Sequence, residues 1–357
     1  MEVTMKSMSK SLIQLALLVG IFLVSSTASA YTTHGRWSGT TITMHAAQVS
    51  FPAGNSYRTS LSTAVTRFNR NPSRFRISQA YDDGSVGFNN GQSEVWFTSD
   101  AAYNPAWTFW WNNWWTGRIV EADVVFYNGE AYTTSMNKTT SWAYGGSRRT
   151  FQTTLLHEYG HVAGLGHEAD EYNIMGQDWT HIHCNGGTLY AYLGEDACDG
   201  LVALYGRHSS TIEDLSVSMF RRTGASGEYS SHGLCRMFNS SGVLLSSSAY
   251  NGQRRYNVSP GQRVRVQFTY ENNGETTQST RVGFYISTNN YVSTYDRLIG
   301  TLGMTLSRDN VFTYTATLTI PSDLAPGTYY LGALIDNDNT LAEIDSMNAA
   351  YHIITVL

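Results

Sequence analysis

The sequence predicts an α+β domain built on a twisted mixed sheet, followed by an all-β sandwich of immunoglobulin type. Three observations carry this. The stretch HEYGHVAGLGH at 157–167 lies on a helical pattern, after one earlier helix and several short strand-like runs. Beyond Arg207 no helical period remains, and apolar residues alternate in successive short runs. Turn chemistry separates those runs, at Asn272-Asn273-Gly274, Pro326-Gly327 and Asp336 to Asn339. The expected division is a leader at 1–30, a first domain at 31–207, a linker at 208–213 and a second domain at 214–357.

The leader is read from Lys6 and Lys10, the apolar run Leu12 to Val24, and the small residues Ala28-Ser29-Ala30. That order is that of a secretory signal peptide cleaved near Ala30, and the run is shorter than the ~20 residues a membrane span needs. The mature chain is therefore expected to be extracellular or periplasmic, with no transmembrane anchor. A net charge of −5 leaves no basic surplus, which argues against a nucleic-acid partner.

In the first domain, Thr41 to Phe51 reads as a strand. Asn55 to Asn69 carries Tyr57, Leu61, Ala64, Val65 and Phe68 at helical spacing, until Asn71-Pro72 stops it. Strands are expected at Phe75 to Ser78, Glu94 to Thr98, Trp107 to Trp111 and Ile119 to Tyr127, a helix at Phe151 to Ala163 and a last helix at Cys198 to Tyr205. In the second domain they are expected at Val264 to Tyr270, Arg281 to Ser287, Phe312 to Ile320, Tyr329 to Ile335 and His352 to Val356.

Chemistry concentrates in the 157–167 stretch. His157 and His161 are four apart, so a helix puts both imidazoles on one face. Glu158 stands beside the first, placed to take a proton from a water on a shared metal. On a continued helix His167 would lie about 15 Å along the axis from His157, too far to join them. The helix must therefore stop, and Gly164 can adopt the positive φ that ends it. Three imidazoles leave a fourth position open, the arrangement of a catalytic rather than a structural zinc.

HExxHxxGxxH, followed by Met175 in Asn173-Ile174-Met175-Gly176, resembles the metzincin metallopeptidases, and the spacing to the methionine resembles their matrixin branch. Ala122 to Phe126 and Asp199 to Gly206 are similar to that family's last strand and final helix. The resemblance implies a metzincin-like catalytic domain with one catalytic Zn2+ held by His157, His161 and His167. It also implies Glu158 as general base, Met175 as a supporting Met-turn, and hydrolysis of protein or peptide substrates by glutamate-assisted attack of zinc-bound water. Pro105 to Trp111 is the candidate edge strand for the substrate backbone. The alternative function is a secreted adhesin or binding protein whose metal site is structural or vestigial.

From about Asp214 to Val356, motifs including Pro260-Gly261-Gln262, Phe284 to Thr288 and Pro326 to Tyr330 resemble the bacterial cell-adhesion-related (CARDB) immunoglobulin-like family. That resemblance implies either attachment to a cell surface or polymer, or a stabilising spacer. Cys184 and Cys198 are expected to form a disulfide worth about 3 kcal/mol, with Cys235 unpaired; the alternative leaves all three reduced and buried. The tryptophans of AWTFWWNNWW at 106–115 are read as rim packing rather than a sugar platform, and His181-Ile182-His183 as a pocket wall beyond Met175. Asp336, Asp338, Glu343 and Asp345 are a possible calcium site but lack the twelve-residue pattern, and are read as a solvated hairpin turn.

Overall fold

The computed structural model describes residues 31–168, 171–176, 178–225 and 231–357; the expected leader at 1–30 lies outside them. No described helix is long and apolar enough to cross a membrane. The first half is a five-stranded sheet in the order β2-β1-β3-β5-β4. Its strands are β1 (Thr41–Ala47), β2 (Arg76–Asp83), β3 (Glu94–Thr98), β4 (Ala106–Asn112) and β5 (Ile119–Tyr127). All neighbours run parallel except β4, which pairs antiparallel with β5 at the sheet's end. Helix α1 (Ser56–Phe68) starts where the Asn55 side chain accepts from the Tyr57 amide, and it buries Leu61, Ala64, Val65 and Phe68. Two short pairs flank the next helix: β6 (Tyr132–Thr133) with β7 (Arg149–Thr150), and β8 (Ile182–Asn185) with β9 (Thr188–Ala191). Helix α2 (Phe151–Val162) is buried on every side, and α3 (Glu195–Tyr205) closes this half.

Two sheets form the second half. One centres on β14 (Arg263–Asn272), which pairs with β17 (Val311–Thr319) along one edge and with β10 (Leu215–Ser218) and β11 (Met237–Asn239) along the other. The other sheet runs β12-β13-β19-β18-β15-β16. These are Ser247–Tyr250, Gln253–Val258, Ala349–Val356, Gly327–Ile335, Gln278–Ser287 and Arg297–Leu306. Val264, Val266 and Phe268 from the first meet Val282, Phe284, Leu331 and Ile354 from the second in one core, as sheet-on-sheet packing requires. The ten-residue β16 was not expected from the sequence. Its first residues, Arg297 and Leu298, are both exposed, but from Thr301 onward Leu302, Met304 and Leu306 face inward between the exposed Thr301, Gly303 and Thr305.

The halves are joined through polar contacts, some buried and some at the surface. Glu271 of β14 accepts from Tyr192, from Ser216 Oγ at 2.6 Å and from His181 Nε2 at 3.3 Å. Lys138 Nζ donates to Gln253 Oε1 at 2.6 Å and to the Tyr351 hydroxyl at 2.7 Å. Arg70 pairs with Asp345, and Arg222 with Glu171.

Three expectations are corrected here. All three cysteines are free and buried. Cys184 lies on β8 in a small cluster with Tyr144, Tyr172 and Phe220, whereas Cys198 lies on α3 in the main core. The two therefore face different cores, and burial raises the pKa of each thiol, Cys235 to about 12. His181 and His183, expected as a pocket wall beyond Met175, are buried against the second half, where His181 meets Glu271 and His183 Nδ1 donates to the Val217 carbonyl at 3.1 Å. The Asp336 turn joins the antiparallel β18 and β19 and is solvated only at its tip, Asp338 to Thr340, because buried Asp336 accepts from Thr340 and Leu341 and Asp345 is held by Arg70 and Tyr190.

Candidate metal centre

Helix α2 delivers His157 and His161 to one face and then stops. Ala163 caps it, Gly164 follows with φ of 102°, and the Leu165 and Gly164 amides donate back to the carbonyls of Gly160 and His161. This is the 6→1 and 5→2 pairing of a Schellman motif. A Cβ at position 164 would lie 2.2 Å from the Gly35 carbonyl oxygen, so glycine is required on steric grounds as well. Side chains distant in sequence hold the last carbonyls of α2. His34 Nε2 donates to His161 at 3.0 Å, Trp37 Nε1 to Val162 at 2.7 Å and Tyr205 to Ala163 at 2.7 Å.

The turn brings His167 back onto the other two imidazoles. The three Nε2 atoms stand 3.1, 2.9 and 3.3 Å apart. His157 Nδ1 donates to the Ile174 carbonyl at 2.7 Å and His161 Nδ1 to Leu165 at 2.8 Å. Those bonds orient the His157 and His161 rings so that their Nε2 atoms meet that of His167. Burial, reinforced by the neighbouring imidazoles, holds the pKa of His161 well below the usual histidine range. Neutral imidazoles are the form in which histidine binds a metal. Tetrahedral zinc with bonds of about 2.0–2.1 Å separates its ligands by ~3.3 Å, so this donor set fits such an ion. Among the described residues no other group of three histidines, cysteines or acids converges this way.

Met175 is buried below the trio, and a Cβ at Gly160 would lie 2.2 Å from its sulfur. Gly160 therefore makes room for the methionine against the helix. Glu158 is buried, and Thr108 Oγ1 on β4 donates to its carboxylate at 2.6 Å. Farther along the chain, buried Asp178 accepts from Arg149 Nη1 at 2.9 Å and from Thr154 Oγ1 at 2.5 Å, tying the segment after Met175 to the start of α2. The five expected residues thus assemble at one place. The supporting residues His34, Trp37, Thr108 and Tyr205 carry no sequence signal, because each acts through one bond to a backbone or side chain far away in the chain.

Comparison with known proteins speaks to the other half. Residues 250–352 match the CARDB family. They form a CARDB domain, an immunoglobulin-like β-sandwich. Solved structures similar to the chain include a crystal structure of the CARDB domain of a Pyrococcus furiosus protein in complex with di-metal ions. It is 17% identical, the alignment covers 42% of this chain and 95% of that one, and the TM-score is 0.25. A solution NMR structure of the same domain is also 17% identical, over 42% and 98% of the chains, with a TM-score of 0.24. No curated protein matches the chain. The CARDB match begins at the end of β12, so β10 and β11 of the sandwich lie outside it.

Proposed function

We propose that the protein is a secreted zinc-dependent endopeptidase. One observation supports this reading: the Nε2 atoms of His157, His161 and His167 converge within 3.3 Å, and α2 also carries the buried Glu158, whose carboxylate Thr108 holds. His157, His161 and His167 would hold the ion, which when bound supplies Lewis acidity to a water and to the substrate carbonyl. Glu158 takes the water proton and later delivers it to the leaving amine. Thr108 holds the carboxylate in place for both transfers. Met175 and the Ile174 carbonyl keep the imidazoles at one spacing. The edge strand β4 pairs with the substrate backbone as an added strand. The CARDB domain adds a contact to a cell surface or polymer target.

The test is direct. Purified protein should hold one zinc per chain, and a chelator should remove the metal together with casein hydrolysis. Zinc binding without hydrolysis would support instead a binding protein with a structural metal.

A further inference from the structure

Along β4, Ala106 and Thr108 point into the protein, and Trp110, two positions on, emerges on the same face at 39% exposure. The Trp110 indole stacks on the His34 ring, with centroids 3.6 Å apart and planes at 23°. His34 is itself fixed by its bond to the carbonyl of His161. The stacked pair is therefore a rigid aromatic shelf, tied to the backbone of a proposed metal ligand and lying about 7 Å along the strand from the Thr108 that grips Glu158.

We propose that this shelf is a specificity subsite that receives an aromatic or bulky apolar side chain of the substrate, two residues from the scissile bond. The proposal rests on the endopeptidase reading. A peptide added to the edge of β4 sends alternate side chains toward the cleft at ~7 Å intervals, so a peptide whose scissile bond lies at the level of Thr108 presents a side chain at the level of Trp110. A ring face already immobilised by stacking gains contact area with little further loss of freedom, and its large apolar surface favours a bulky apolar or aromatic side chain. Pockets of this kind discriminate about ten- to two-hundred-fold by size and apolarity.

The experiment digests a proteome-derived peptide library with wild type, Trp110→Ala and Trp110→Phe, and reads the new termini by mass spectrometry. Wild type should enrich aromatic or bulky apolar residues at one position two residues from the cut. Trp110→Ala should lose that enrichment and raise KM about ten-fold for a peptide with Phe there, with kcat little changed, while Trp110→Phe retains both. A flat wild-type profile at both positions two residues from the cut overturns the subsite and leaves the endopeptidase reading intact, as does an unchanged profile in Trp110→Ala. Should Trp110→Ala not fold, the wild-type and Trp110→Phe profiles still decide. A zinc-loaded wild type that cuts no peptide overturns the endopeptidase reading and the subsite with it.

Discussion

Two buried polar clusters, the three histidines at the end of α2 and the Glu271 joint between the halves, solve opposite problems. At the joint one carboxylate meets three donors, from Tyr192, Ser216 and His181. At the histidines, acceptor faces acceptor, because the Nδ1 protons of His157 and His161 are already committed to carbonyls. The joint draws its donors from both halves of the chain. Under the proposed zinc reading, a cation at the histidine cluster would be held by the converging imidazoles.

The comparison is broken most severely at the histidines. His161→Ala should lose both metal and peptide hydrolysis, whereas Glu158→Ala should keep zinc, measured by elemental analysis, and slow turnover by at least ~10²-fold. Near-normal turnover in the Glu158 variant would remove the general base from the mechanism.

At the joint the effect should be on folding rather than chemistry. Glu271→Ala leaves Tyr192, Ser216 and His181 buried without their acceptor and should cost about 2 kcal/mol in urea unfolding. Zinc content should be unchanged. A variant as stable as wild type would mean that the two halves do not depend on this contact. The smallest effect is expected at the floor of the histidine cluster. Gly160→Ala drives a methyl group into the Met175 sulfur and should weaken zinc binding about ten-fold in a chelator competition, the scale of a disturbed supporting contact. Unaltered affinity would show that Met175 fills space without positioning the ligands.

The fold and the centre were legible to different depths. Local rules sufficed for α1, whose Asn55 cap and 3.6-residue period are written in 55–68, and for β3 and β5, whose bounds match the expected runs. They sufficed too for the meeting of His157, His161 and His167, since an i,i+4 pair and a glycine stop are properties of one short segment. The alternating runs after Arg207 marked the sandwich, and the CARDB match supports that reading over 250–352. Tertiary structure alone decided the rest. The pairing of the cysteines depended on which core each side chain enters, and Cys184 and Cys198 enter different ones. The role of His181 depended on a carboxylate ninety residues away in β14. The caps of α2 come from His34, Trp37 and Tyr205, brought together by the sheet and α3 rather than by spacing. The physical reason is common to all three. Periodicity and turn chemistry act through neighbours along the chain, whereas buried polar groups are satisfied by whichever donor or acceptor the packed core brings within reach.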